Sequence, residues 1–164
     1  MESAIPHSCL ECLERPDRLF CDLPVEALKA FDALKSTTEC QRGTILFREG
    51  SPSKGVFVLC EGRARLFVCS EPGSRLTLRI AGPGEVLGLS ACLAGGPHEM
   101  TAELLDSTRV ALVGRKDLME FLHDNREACM KVVSLLSQDL HRAYDRVRSV
   151  ALGKNRRSRP MRVH

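Results

Sequence analysis

Tryptophan is absent from this 164-residue chain, tyrosine occurs once and phenylalanine six times. A core so poor in aromatics has to be built mainly from Leu, Val and Ala with a few Phe. No apolar run approaches the about 20 residues that a membrane-spanning helix needs. The opening MESAIPHSCLECLERPDRLF lacks both the basic start and the clean apolar run of a secretory signal. The expected setting is therefore cytoplasmic, with no membrane partner. Histidine is also sparse: of His7, His98, His123, His141 and His164, only His98 falls in the β-rich region. Paired histidines facing a carboxylate, as a metal-dependent jelly-roll enzyme requires, are not available. No Ser–His–Asp or Cys–His spacing suggests nucleophilic catalysis, so the chain reads as a non-enzyme.

What is present suits one domain plus an additional element: 43% hydrophobic and 27% charged residues. The net charge of +3 hides an asymmetry, because the final KNRRSRPMRVH holds five Lys/Arg and no acid, leaving 19 basic against 21 acidic residues elsewhere. Eight cysteines are many for a chain without a secretory signal. Cys40, Cys60, Cys69, Cys92 and Cys129 sit in apolar or periodic segments, and most of them read as small buried hydrophobes.

Along the chain, residues 1–21 show no period. Apolar spacing in DLPVEALKAFDALKS predicts a short helix over 24–35, with Pro24 at its start. From 36 to 113, short β-branched runs alternate with turn signals and predict strands at 36–41, 44–48, 56–60, 63–69, 74–81, 86–87, 99–105 and 108–113. GVFVLCEGRARLFV reads as a hairpin turning at Glu61–Gly62. The expected fold is mainly β with α: an eight-stranded antiparallel jelly-roll barrel over 22–125, a short N-terminal helix, a short helix in RKDLMEFLHDN, and a long C-terminal helix over 126–152 stopped by Gly153. A basic disordered tail is expected over 153–164.

The long helix carries a seam. Cys129, Val133, Leu136, Leu140, Ala143, Val147 and Val150 step alternately by four and three, the spacing of heptad a and d positions. Val133, Leu136, Leu140, Ala143, Val147 and Val150 are the expected contacts of a parallel homodimer.

PGEVLGLSACLAGGPHEMTAELL, residues 83–105, is rich in glycine yet contains no Lys or Arg. Glycine-shaped turns of this sort present backbone N–H groups to small ligands. With RGTILFREGSPSKGVFVLCEGRARLF before it and the helix order around it, the segment resembles the Crp/Fnr family of bacterial regulators over about residues 20–152. The resemblance implies a cyclic nucleotide-binding-like sensor domain in which 83–105 matches the phosphate-binding cassette. It also implies a mechanism in which a small-molecule effector, bound in a pocket beneath the long helix near residues 126–136, shifts how two such helices meet. The implied ligand-binding positions are Gly84, Glu85, Gly88, Leu89, Ser90, Glu99, Met100 and Thr101.

Two departures matter. In members that bind cyclic AMP, a Glu holds the ribose and an Arg–Ser pair holds the cyclic phosphate. Here Leu89 stands at the Glu position, and Glu99 and Met100 stand at the Arg and Ser positions. An acid in place of the cation, partly buried there, opposes an anionic ligand, so binding of cyclic AMP in the usual way is not expected. Ser90 and Thr101 still offer hydroxyls, and His98 is placed to tune a rim charge. A plainer reading stays open, in which Gly95, Gly96 and Pro97 turn a hairpin and Glu99 faces solvent. The second departure is that family members continue into a winged helix-turn-helix, whereas this chain ends at His164. It is expected to be the sensor half of a regulator, with DNA contact only through a domain absent from this chain, or weakly through Arg156, Arg157, Arg159 and Arg162 of the tail.

Cys9, Cys12 and Cys21 resemble the N-terminal cysteine cluster of the family's oxygen-sensing branch, where thiolates hold a [4Fe–4S] cluster. The resemblance makes an iron–sulfur cofactor on these three an alternative basis for sensing. The family's fourth cysteine falls at Ala111. A zinc site, a dithiol switch and uninvolved thiols stay open beside it.

Overall fold

The computed structural model describes residue 20, residues 23–71 and residues 73–158, with side chains as far as Gly153. The chain divides into two compact units, the first ending at Cys129 and the second beginning at Met130.

In the first unit, the apolar spacing of VEALKAFDAL forms helix α1 (Val25–Leu34), which buries Ala27, Leu28 and Phe31. Pro24 sits at its N-cap, where the missing N–H is no loss. Phe31 meets Phe20 with ring centroids 4.8 Å apart and Phe121 at 5.3 Å. Phe121 belongs to helix α3 (Arg115–Asp124), so half of the chain's phenylalanines tie the two short helices together.

Between these helices lie strands β1 (Ser36–Cys40), β2 (Ile45–Phe47), β3 (Gly55–Leu59), β4 (Ala64–Ser70), β5 (Ser74–Ala81), β6 (Val86–Leu87), β7 (Thr101–Leu104) and β8 (Thr108–Gly114). They form two four-stranded antiparallel sheets, ordered β1-β8-β3-β6 and β2-β7-β4-β5. The eight-stranded jelly roll expected from the turn signals is present, as two sheets rather than one closed barrel. Phe47, Leu59, Leu66, Leu87, Leu104 and Val110 fill the core, drawn from both sheets, with Ala64, Ala81 and Ala102 as its small members. Of the cysteines expected to be buried, Cys60 and Cys92 are; Cys40 and Cys129 are half-buried, and Cys69, near the outer end of β4, is exposed.

The expected hairpin at Glu61–Gly62 is not formed. β3 pairs with β6 and β8, whereas β4 pairs with β5 and β7, so the chain crosses between sheets there. Two alternating runs joined by a glycine turn look alike whether the strands pair or part. The crossing is pinned instead by Thr108, whose hydroxyl donates to the Glu61 carbonyl, and by the Arg63–Asp106 ion pair at 3.1 Å. That pair holds the Asp106 carboxyl below its ordinary range.

Helix α4 spans Arg126–Ser158, beyond the stop expected at Gly153. One glycine within a helix costs only about 1 kcal/mol. Three of the five residues 154–158 are Lys or Arg, which are good helix formers. Residues 153–158 are therefore helical rather than part of a disordered tail; residues 159–164 lie outside the described residues. Among the described residues, no helix is long and apolar enough to cross a membrane.

Candidate functional site

The glycine-rich segment folds into a cradle of turn, strand, helix and turn. The first turn is closed by Glu85, whose carboxylate accepts from the Gly82 N–H and pairs with Arg79 Nη1 at 2.5 Å. Gly84, at φ 85°, donates to the Leu59 carbonyl at 2.6 Å, and Leu59 returns a bond to the Glu85 carbonyl at 3.0 Å. Glu85 is thus occupied in holding the backbone shape.

β6 then leads to Gly88, whose φ of 80° turns the chain into helix α2 (Leu89–Ala94). A side chain at Gly88 is blocked on two counts. The backbone is left-handed, and a Cβ there would lie 3.1 Å from His98 Cε1 and 3.4 Å from Phe47 Cε1. Gly95, at φ 70°, ends α2, with its N–H and that of Gly96 returning to carbonyls of the helix. Arg115 of α3 caps the same end, its Nε donating to the Cys92 carbonyl at 2.8 Å. Neither α2 nor this cap is legible in the sequence. Six residues are too few to show a helical period, and the cap joins a side chain to a backbone carbonyl 23 residues away. The flanking glycines were the available signal for α2.

After α2 the chain is stitched to the loop that follows β2. Gly50 donates to the His98 carbonyl at 2.8 Å, and His98 donates to the Ser51 carbonyl at 2.9 Å. Pro52 and Pro97 form a bridge beside them. The segment 95–98 is therefore not a hairpin turn but one side of a two-loop seam. The Thr101 hydroxyl accepts from the Glu49 N–H at 2.9 Å. His98 is buried rather than on the rim, at 3% exposure. Its ring stacks on Phe47 with centroids 4.0 Å apart, and its Nδ1 has no hydrogen-bond partner. Burial pushes the His98 pKa down, against an upward pull from Glu99.

Of the remaining expected ligand positions, Leu89 is buried, Met100 packs against the core, and Ser90 and Glu99 are exposed. Glu99 thus faces solvent and is not the partly buried carboxylate that was expected to repel an anion. The missing cation remains. No Lys or Arg occurs between Arg79 and Arg109, and Arg79 is already paired with Glu85. A cyclic phosphate would find no cation within the segment itself; the guanidinium at its rim is that of Arg115, whose Nε is already engaged by the Cys92 carbonyl. A shallow cleft of about 520 Å³ lies at the outer end of α2, bordered by Gly50, Ser53, Gly95, Pro97 and Arg115.

In the second unit, the α4 seam residues stand open in the single chain: Val133 is 49% exposed, Leu140 54%, Val147 67% and Val150 64%, with Ala143 exposed and Leu136 half-buried. Cys9, Cys12 and Cys21 lie outside the described residues; among the described residues no group of three His, Cys, Asp or Glu is arranged to hold a metal ion.

Comparison with known proteins agrees with this architecture. The family model described as "Cyclic nucleotide-binding domain" matches residues 37–125, more than half of the chain. The CRP-like cAMP-activated global transcriptional regulator of Mycobacterium tuberculosis is 22% identical over 124 residues, covering 76% of this chain and 55% of its own length. The transcriptional activator protein anr of Pseudomonas aeruginosa is 25% identical over 139 residues, covering 84% and 57% respectively. The chain thus spans about half the length of the curated relatives it matches. The crystal structure of the Thermus thermophilus catabolite activator protein superposes with a TM-score of 0.74 at 22% identity, covering 81% of this chain and 62% of that one. The chain belongs to the cyclic nucleotide-binding domain family, and its relatives are transcriptional regulators of the Crp/Fnr type.

Proposed function

We propose that this chain is the effector-sensing, dimerising part of a Crp/Fnr-type transcriptional regulator, and that its effector is not cyclic AMP held in the usual way. The observation that carries the reading is the contrast within one segment. The left-handed glycines at 84, 88 and 95 keep the cradle's backbone, while the cation that would neutralise a cyclic phosphate is absent from the segment. A charge-assisted hydrogen bond contributes about 1.5–3 kcal/mol, so its loss weakens a cyclic nucleotide by about 10- to 100-fold. The effector expected instead is neutral or weakly charged and held chiefly by backbone groups.

The exposed apolar seam of α4 supports a parallel homodimer through Val133, Leu136, Leu140, Ala143, Val147 and Val150. Effector binding would act by favouring one dimer geometry over another, which requires only a difference in affinity for the two. Isothermal calorimetry with cyclic AMP tests the effector half of the reading. No saturable heat is expected up to about 100 μM nucleotide, a range in which an affinity of about −5.5 kcal/mol or better would register. A micromolar dissociation constant at one site per chain would overturn it.

A further inference from the structure

His98 combines three properties not found together elsewhere among the described residues. It is an ionisable side chain at 3% exposure, its Nδ1 is a buried polar atom without a partner, and it sits where three segments meet. Its main chain ties the loop after β2 to the segment after α2 through both its N–H and its C=O. Its ring face lies on Phe47, with an interplanar angle of 14°. Its Cε1–Nδ1 edge is set against Gly88, which is why that position has no room for a Cβ.

We propose that His98 is an acid-sensitive latch: neutral, it holds loops 48–53 and 97–101 against the cradle, and on protonation it releases them. A neutral imidazole can leave one ring nitrogen unpaired at moderate cost. An imidazolium cannot, because Nδ1 and Nε2 are then both donors and the buried ring carries a full charge with no acceptor at Nδ1.

The charges around the ring do not rescue the cation. On its own segment Glu99 favours protonation, but its carboxylate is solvent-exposed. Beyond Phe47 the adjoining loop brings Arg48, a like charge, and Glu49, whose carboxylate accepts from the Cys69 N–H at 3.2 Å. From Gly88 to Ala94 the cradle offers no ionisable group except the Cys92 thiol, which burial keeps protonated. Thr101 of β7 is neutral and already engaged.

The direction of the effect follows. The folded-state pKa of His98 lies below its unfolded value of about 6.5. The stability of the neutral arrangement is therefore complete above about pH 6.5 and is lost as pH falls from there toward the lower, folded value. Across that window the equilibrium between latched and released forms shifts by up to about tenfold per pH unit. The latch belongs to the fold of the cradle and operates whether or not an effector binds there.

The test is hydrogen exchange on the full chain at pH 7.5 and 5.5, corrected for intrinsic rates, for the native protein and His98→Phe. Phenylalanine keeps the stack on Phe47 and removes the titration. Native protection at 48–53 and 86–101 is expected to drop by up to about tenfold at pH 5.5 relative to the β4–β5 hairpin, while His98→Phe holds its protection. An equal response in both proteins would overturn the proposal. Should His98→Phe not fold, NMR titration of the native imidazoles decides. A His98 midpoint below the ordinary imidazole value accompanied by the loss of protection supports the latch, and a midpoint not lowered, or no loss of protection, overturns it.

Discussion

Replacing Gly88 by alanine tests whether the cradle is as tightly built as its contacts imply. Two costs add. Holding an L-residue at φ 80° costs about 1–2 kcal/mol. The new methyl would stand 3.1 Å from His98 Cε1 and 3.4 Å from Phe47 Cε1. Neither ring has free space to retreat into, because the two are stacked and both are buried. Overpacking of this kind costs about 1–3 kcal/mol. The sum, about 2–5 kcal/mol, is a large part of the about 5–15 kcal/mol that holds a typical domain together. Urea denaturation followed by circular dichroism would read it as a lowered midpoint at unchanged slope. Gly96→Ala is the control, since nothing lies within 4 Å of a Cβ there and the backbone is not left-handed. It should stay within about 1 kcal/mol of the native protein. Equal midpoints for the two variants would refute the reasoning, because they would mean that His98 and Phe47 do not close on Gly88.

Gly55→Ala should also be severe, at about 3 kcal/mol or more, or yield insoluble protein. Its Cβ would sit 2.2 Å from the Val113 carbonyl oxygen across the β3–β8 ladder, where only backbone could give way. Expression and thermal unfolding would check it. Arg115→Ala removes the side-chain cap from α2 and should cost about 1 kcal/mol, read by chemical denaturation. Leu140→Glu places an acid on the open apolar seam of α4 and, in the proposed dimer, would forfeit two leucines buried on association. At about 1.5–3 kcal/mol each, the dimer should weaken by more than about 100-fold in sedimentation equilibrium. A native protein that sediments as a monomer at micromolar concentration would remove the seam.

The strand set was the most legible part of the sequence. β5 spans the expected 74–81, and β6 falls at 86–87 as read. Alternation and turn glycines are local signals, and these strands announce themselves locally. Which sheet a strand joins is not a local property, so Glu61–Gly62 was read as a hairpin although the chain changes sheets there. Gly153 misled for a related reason. A lone glycine raises the cost of a helix without ending it, and the residues that follow favour continuation.

In the cradle, the glycines were read correctly as shaping residues, but their partners were not visible. Gly88 depends on a ring ten residues later and another 41 residues earlier. His98 was expected at the rim because nothing in its neighbours signals burial; Phe47 and the two-loop seam supply it. Glu99 shows the converse. Its identity carried information, since it marks the missing cation, while its exposure did not follow from the sequence.

The sharpest measurement is a gain of function. Leu89→Glu combined with Glu99→Arg places the two charged residue types of the cyclic AMP-binding pattern where this chain has a buried leucine and a solvent-facing acid. If those side chains alone bar cyclic AMP, calorimetry should show the double variant binding it at least about tenfold more tightly than the native chain, the return expected from one charge-assisted hydrogen bond. A correctly folded double variant with no gain would contradict the account, because the barrier would then lie in the shape of the cradle and not in its missing charge.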